Sequence, residues 1–317
     1  MFRQRLLSAT ILIAVVVGLV VGDATLPVRG VGGVWLLPLV LVFAAGTAWE
    51  FATMLRGSGR SISRLVAVPW ATAVALSAAI PMVWPLLSRE YPTTCPVGRL
   101  GWIGVATAAA VFGTFGHEVV RFGRGPAGAT ERSAMGLMVV VYVGVNLALL
   151  VALRQMGGPA WGLAAVLTVI AVTKSGDIGA YTTGKLLGGK LLGEKKLIPR
   201  LSPGKTREGA VGAVVFGVVV AYLMLTLVFG RLEGTAPVGS ASVGMLRTPW
   251  VGALTLGGTL TVVGIFGDLV QSMIKRDSGA KDSGAVLPGM GGVWDVSDSL
   301  LATAAPGYLL FAAGVGW

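Results

Sequence analysis

Long apolar segments separated by shorter polar ones make up most of the chain. Each is close to the roughly 20 residues that a helix needs to cross the hydrocarbon layer of a bilayer. The pattern therefore predicts an all-α polytopic membrane protein with about nine transmembrane helices. The segments lie near residues 7–22, 31–49, 65–88, 100–116, 134–153, 161–181, 209–230, 249–273 and 297–316.

The polar connections between these segments are of two kinds. Most are short, whereas those at 174–208 and 275–296 are long and combine lysines, glycines, hydroxyls and carboxylates. This difference predicts two regions. Residues 1–160 hold about five transmembrane helices, and residues 161–317 form a C-terminal region that carries both long segments and the candidate chemistry.

The positions of the basic residues predict the orientation of the helices. With a cytoplasmic N-terminus and alternating helices, only six of the 25 lysines and arginines fall outside the cell. An excess of Lys and Arg in cytoplasmic loops is typical of membrane proteins. Residues 1–22 also resemble a signal peptide, but the alternation works when they stay as the first helix. We therefore expect a cytoplasmic N-terminus, with both long polar segments in the cytoplasm.

The composition excludes several classes of protein. The chain is 54% hydrophobic and only 12% charged, whereas an average soluble domain is about 25% charged. The net charge of +11 does not predict nucleic-acid binding, because the basic residues are spread over loops and form no basic domain. The single cysteine, Cys95, excludes an internal disulfide.

The first long segment begins with a lysine and an aspartate that share a helix face. Lys174 and Asp177 are three residues apart, so their side chains are able to pair. They are candidates for one wall of a substrate site. The alternative, left open by these two residues alone, is a helix end at which Lys174 extends to the membrane interface.

The later part of this segment, Ser202 to Thr206, looks like a phosphate-binding loop. Lys205 supplies a positive charge, Ser202 and Thr206 supply hydroxyls, and a helix that begins near Arg207 would direct its first amides at the same place. Glu208 lies in the first turn of that helix. A basic loop followed by a helix cap remains the alternative.

The second long segment brings carboxylates next to cations. Asp268, Gln271, Ser272 and Lys275 have offsets that place them on one face of a helix. An aspartate within a transmembrane helix rarely faces lipid. Asp295 and Asp298 fall at the start of the last helix, after a run of glycines at 289, 291 and 292.

Carboxylates from two helix ends suit Mg²⁺, which prefers a few carboxylates together with water and phosphate oxygens. The pattern therefore predicts that these carboxylates can chelate magnesium. The alternative, that Asp295 and Asp298 only cap a helix, does not account for Asp268.

Together the two segments resemble the phosphatidate cytidylyltransferase family, the CDP-diacylglycerol synthases. The resemblance covers about residues 165–317 by motif, and the first 160 residues resemble the family only as apolar helices. The upstream matches are Asp177 to Tyr181, Ser202 to Thr206, Glu208 with Gly209, and Gly267 with Asp268. The C-terminal signature is matched in register by Ser272, Lys275, Arg276, Lys281, Asp282, Gly284, Leu287, Pro288, Gly291, Gly292, Val293, Asp295 and Asp298.

Four residues depart from the family pattern. Met290 stands where the signature has histidine, and Val296 where it has arginine. Arg207 replaces a tryptophan, and Gln271 replaces a glutamate. These changes put the substrate preference in doubt but keep the aspartates.

The resemblance implies transfer of a cytidylyl group from CTP to phosphatidate, giving CDP-diacylglycerol and pyrophosphate. It implies a multi-pass protein of the cell (inner) membrane with a cytoplasmic active site and no nucleic-acid partner, and it leaves a homodimer open. The implied catalytic residues are Asp268, Asp295, Lys275 and Lys281. For this reaction we expect Asp268 and Asp295 to bind Mg²⁺, with Asp298 as a third ligand or neighbour, and the number of ions, one or two, stays open. The implied substrate-binding residues are Lys174, Asp177, Ser202, Lys205, Thr206, Glu208, Ser272, Arg276, Asp282, Gly291 and Gly292.

Two other functions stay open at this point. A multi-pass transporter would use the same charges as a substrate or proton pathway, but the charges gather at one face of the predicted helices, which favours an enzyme. A non-catalytic relative would bind CTP without releasing pyrophosphate. The aspartate-rich motif of the CDP-alcohol phosphotransferases is absent.

Overall fold

The computed structural model describes residues 2–124, 127–190, 196–232 and 244–316. Residues 191–195 of the predicted polar segment 174–208 lie outside the described residues. The helices are α1 Phe2–Thr25, α2 Leu37–Gly57, α3 Arg64–Ser77, α4 Val83–Leu86, α5 Gly98–Arg121, α6 Ala129–Val139, α7 Asn146–Arg154, α8 Pro159–Leu187, α9 Arg207–Leu223, α10 Pro249–Asp277 and α11 Val293–Ala312.

Seven helices among the described residues are long and apolar enough to cross a membrane. Each overlaps one of the predicted segments, which confirms an all-α polytopic membrane protein. They lie at Leu6–Thr25, Val34–Gly57, Gly98–Arg121, Ala129–Arg154, Pro159–Leu187, Arg207–Arg231 and Pro249–Asp277. The number nine and the cytoplasmic N-terminus stay predictions.

The segment predicted as one helix at 65–88 is broken in the structure. Arg64–Ser77 and Ile80–Leu86 are bent by 49° relative to each other. Pro81 lies just after the break, and proline cannot donate the backbone hydrogen bond that would continue the helix. The last predicted segment, 297–316, corresponds to α11, which begins earlier, at Val293.

A short antiparallel hairpin interrupts the helical chain. Its strands are β1 Lys196–Ile198 and β2 Ser202–Thr206, with Lys196 opposite Thr206 and Ile198 opposite Ser202. The prediction that Ser202 to Thr206 is a loop was therefore wrong, because β1 pairs with this segment and holds it extended. The predicted helix start near Arg207 is confirmed, since α9 begins at that residue.

The chain divides into two compact units. Unit 1 contains residues 1–152 and 277–297, and unit 2 contains residues 153–276 and 298–317. In unit 1, Trp294 is fully buried and its ring centroid lies 4.3 Å from that of Phe51 and 5.9 Å from that of Tyr142.

Unit 2 is built on the close packing of α8 with α9. A Cβ atom added at Gly179 of α8 would lie 2.8 Å from the backbone oxygen of Gly212 in α9. Small residues allow helix backbones to approach in this way in membrane proteins. This packing positions the polar end of α8, which carries the first candidate residues.

Candidate active site

The predicted pair on α8 is confirmed and is joined by a third residue. Lys174 Nζ lies 3.0 Å from Asp177 Oδ2. Ser299 of α11 donates a hydrogen bond from its Oγ to Asp177 Oδ2 at 3.1 Å, and its Oγ also accepts one from Lys174 Nζ at 3.1 Å. The three side chains close a triangle in unit 2.

Ser299 was missed by the sequence analysis. It follows the predicted Asp298 directly, but serine is common on helices and nothing in its spacing distinguishes it. Its side chain is only 1% exposed, and its contact with α8 exists only because α8 and α11 pack together. Next to it, Thr173 donates a hydrogen bond to Thr303 at 3.1 Å, which joins the same two helices.

The hairpin brings Lys205 to α10. Its Nζ lies 2.6 Å from Asp268 Oδ2, and it also donates to the backbone oxygen of Ile265 at 3.4 Å. Both charged side chains remain partly exposed, at 23% for Lys205 and 36% for Asp268. The structure therefore unites two residues that the sequence placed in separate motifs, 63 positions apart.

The other members of the predicted phosphate-binding segment have structural contacts. The Thr206 hydroxyl accepts a hydrogen bond from the backbone N–H of Gly209 at 3.0 Å and so caps α9. Glu208 is 3% exposed, and its Oε1 accepts from the backbone N–H of Gly189 at 3.0 Å, which ties α9 to the end of α8. Ser202 is half-buried in β2.

The second pair of helices, α10 and α11, meets beside Asp268 and Asp298. A Cβ atom at Gly267 would lie 3.1 Å from the backbone oxygen of Asp298, so the glycine permits this close approach. This approach brings the backbone next to Asp268 against the backbone of Asp298 on the facing helix. Ser272 donates to Asp268 Oδ1 at 3.5 Å, one helical turn further along α10, as the predicted polar stripe requires.

The basic residues Lys275 and Arg276 lie in the last turn of α10, which ends at Asp277. Cations in the last turn favour the negative end of the helix dipole. Gln271 is fully buried, so this member of the predicted stripe lies inside the protein. Lys281 and Asp282 follow α10 and are both exposed in unit 1.

Asp295 lies in unit 1, in the first turn of α11. Its Oδ2 accepts hydrogen bonds from the backbone N–H groups of Ser283 and Gly292, each at 2.9 Å. The contact with Gly292, directly before the helix, is the backward half of a capping box. Gly291 has a φ of +91° and forms a backbone bridge with Leu287, so the glycines fold the segment before α11 into a tight turn.

Two carboxylates of unit 2 are candidates to hold a magnesium ion. Asp268 and Asp298 lie on the facing helices α10 and α11, and a cation between them would be attracted to both. Within either unit, the described residues contain no group of three or more His, Cys, Asp or Glu side chains able to hold a metal. Mg²⁺ needs no such group, because it is commonly held by one or two carboxylates together with substrate phosphates.

Comparison with known proteins agrees with this chemistry. The model of the Cytidylyltransferase family matches residues 3–313. The chain is 31% identical over 298 residues to the phosphatidate cytidylyltransferase of Brucella suis, an alignment that covers 94% of this chain and 92% of that protein.

Two further relatives differ in how much of the chain they match. The phosphatidate cytidylyltransferase of Mycobacterium bovis is 28% identical over 305 residues, covering 94% of this chain and 87% of its own length. The uncharacterized protein YnbB of Escherichia coli is 40% identical over 145 residues, covering 45% of this chain and 41% of its own length. Because the family model spans nearly the whole sequence, the chain belongs to the cytidylyltransferase family.

Proposed function

We propose that this protein transfers the cytidylyl group of CTP to phosphatidate. A phosphate oxygen of the lipid attacks the α-phosphorus of CTP, the bond from that phosphorus to the bridging oxygen breaks, and pyrophosphate leaves. The products are CDP-diacylglycerol and pyrophosphate. The family and the names of the two relatives aligned over 94% of this chain support the choice of substrates.

The observation that carries the proposal is the cluster of lysines and aspartates in unit 2. Lys205 of the hairpin pairs with Asp268 of α10, and Lys174 pairs with Asp177 on α8 beside Ser299 of α11, so three of the four charges lie on membrane helices. Charged residues in such helices are costly and usually functional. The reaction brings two anions together, so it needs cations at the site to offset their repulsion.

Each group has a role that follows from its chemistry. Lys205 and Lys174 would move from their aspartates to phosphate oxygens when CTP binds. Asp268 and Asp298 would then be available to hold Mg²⁺, which supplies charge neutralisation at the transferring phosphoryl group. Asp295 of unit 1 stays a predicted metal ligand, and two backbone amides hold its Oδ2. Lys275, Arg276 and Lys281 would neutralise the remaining phosphate charge.

No general base is required, because the attacking phosphate is already ionised near neutral pH. The presence of Met290 in place of the signature histidine is compatible with this mechanism. We also propose that the site faces the cytoplasm, where CTP is present, in the cell (inner) membrane.

The test is turnover by the purified protein in detergent. We expect CTP and phosphatidate, with Mg²⁺, to give equal amounts of CDP-lipid and pyrophosphate. An enzyme forms these products without a sealed compartment, whereas transport can be observed only across a sealed membrane. UTP, and diacylglycerol without phosphate, serve as matched controls. Product formation from another phosphorylated lipid, but not from phosphatidate, would contradict the proposal.

A further inference from the structure

A buried carboxylate in unit 1 holds the glycine-rich segment that precedes α11. Glu50 lies in α2 and is only 4% exposed. Its Oε1 accepts a hydrogen bond from the backbone N–H of Val293 at 2.8 Å, and its Oε2 accepts one from that of Trp294 at 2.9 Å. The Ser283 hydroxyl donates to the same Oε2 at 2.8 Å.

The two amides are among those that a helix leaves unpaired. The first N–H groups of any α-helix have no partner within it, and the positive end of the helix dipole favours a negative charge. Val293 and Trp294 are the first two residues of α11. Glu50 therefore caps α11 from a different helix, with hydrogen bonds strengthened by its charge.

A second carboxylate completes the arrangement. Asp295 accepts from the backbone N–H groups of Ser283 and Gly292, so Ser283 is held by Asp295 through its backbone and by Glu50 through its hydroxyl. The two carboxylates join the two ends of residues 283–292, here called the clamped loop.

Two of the four glycines of the clamped loop are explained by Glu50. A Cβ atom at Gly284 would lie 2.6 Å from Glu50 Oε1, and one at Gly292 would overlap Glu50 Oε2. Gly46 lies one turn earlier on α2. A Cβ atom added at Gly46 would lie only 3.0 Å from the side chain of Val293. Three glycines are thus required by one contact between α2 and the start of α11.

We infer that Glu50 is a positioning residue for the nucleotide site. It fixes the clamped loop and the first turn of α11, so that Gly291, Gly292 and Asp295 are held in place before the triphosphate binds. This inference rests on the proposed function. A site held in advance needs no reorganisation during the reaction, which is the source of most electrostatic catalysis.

The test compares Glu50→Gln with Glu118→Gln, a matched variant in the same unit. Glu118 is also buried, at 6% exposed, but its partner is Arg132, at 2.7 Å, and it has no place in the proposed site. Hydrogen exchange is measured at the amides of residues 283–294, and kcat and KM for CTP are measured on folded protein.

For Glu50→Gln we expect hydrogen exchange at the amides of Val293 and Trp294 to be about 10- to 100-fold faster, because this factor corresponds to the loss of a hydrogen bond to a charged group. A fall in kcat/KM for CTP of similar size should accompany it. Glu118→Gln should lower the unfolding temperature but leave kcat/KM per folded molecule within about threefold and the loop's exchange unchanged.

Ser283→Ala guards against misfolding of the Glu50 variant. It removes one hydroxyl contact to Glu50 and should lower kcat/KM by about fivefold, the cost of a single hydrogen bond. Faster loop exchange without loss of activity would overturn the positioning role, and unchanged exchange would overturn the clamp. If the wild-type protein forms no CDP-lipid, the proposed function fails, whereas the exchange data still decide whether Glu50 holds the loop.

Discussion

The carboxylates of unit 1 and unit 2 differ in what holds them. In unit 2, Asp177 and Asp268 each form an ion pair with a lysine, and the side chains of both pairs remain partly exposed. In unit 1, Glu50 and Asp295 are held by backbone amides and a buried hydroxyl. Lysine side chains can move to a phosphate, whereas backbone amides cannot. The comparison separates groups able to exchange partners during the reaction from groups that keep the site in shape.

The largest expected effect concerns Asp268. We expect Asp268→Asn to lower kcat by about 10³-fold, because the neutral amide binds neither Mg²⁺ nor Lys205 as the carboxylate does. The measurement is CDP-lipid formation at saturating CTP and Mg²⁺. Glu131→Gln, at an exposed carboxylate of unit 1, is the control and should retain full turnover. Near-normal activity of Asp268→Asn would remove the central carboxylate from the mechanism.

The second prediction asks whether Asp295 acts only through its amide contacts. We expect Asp295→Asn to lower kcat by about 10²-fold, because the Asn oxygen still accepts from Ser283 and Gly292 while the charge is lost. In Asp295→Asn the rate of hydrogen exchange at those two amides should stay close to that of the wild type, whereas in Asp295→Ala it should rise. Wild-type-like turnover of the Asn variant would leave Asp295 with the cap alone and no metal role.

The third prediction tests partner exchange at Lys205. Lys205→Met removes the ammonium that holds Asp268, so Mg²⁺ should bind more tightly without nucleotide, whereas the KM for CTP should rise about 10-fold from the loss of a phosphate contact. Metal binding by calorimetry and initial rates give the two readouts. Lys205→Arg keeps the charge and is the control. A variant with unchanged KM would show that Lys205 never reaches the phosphates.

The smallest effect is expected at Ser299. Ser299→Ala removes one hydrogen bond to Asp177 and one from Lys174. The direct ion pair between Lys174 and Asp177 stays in place, so we expect a total loss of about 1 kcal/mol. We expect a fall in kcat/KM for CTP of about fivefold. Thr303→Val, which disturbs the neighbouring contact between α8 and α11, is the control and should change stability without changing KM. If Thr303→Val lowered kcat/KM for CTP more than Ser299→Ala does, the contact between α8 and α11 would matter more for activity than the triangle of Lys174, Asp177 and Ser299.

Much of the fold could be predicted because the position and length of each apolar segment can be read directly from the local sequence. The seven helices described as able to cross a membrane coincide with predicted apolar segments, and α9 begins at Arg207 as expected. The break before Pro81 and the strand at Ser202–Thr206 were missed. The first depends on which of the three prolines in the apolar segment interrupts the helix, and the second depends on a partner strand; the hydropathy pattern registers neither.

The site was predicted only in part. The pair of Lys174 with Asp177 follows from helical spacing and is confirmed. Glu50 was missed because the predicted helix ended at residue 49, while α2 continues to Gly57 and so places the carboxylate inside the helix. An acidic residue directly after an apolar segment was the available signal, since such residues are rarely without a function.

The sequence by itself determined the membrane character, the helical segments and the family motifs, because each of these is written in neighbouring residues. Only the tertiary structure decided which distant residues meet. It joined Lys205 to Asp268, placed Ser299 against Asp177, and set Glu50 under the start of α11. These contacts depend on how closely helices pack, and glycines on both sides of a contact fix that distance in a way that spacing along the chain does not reveal.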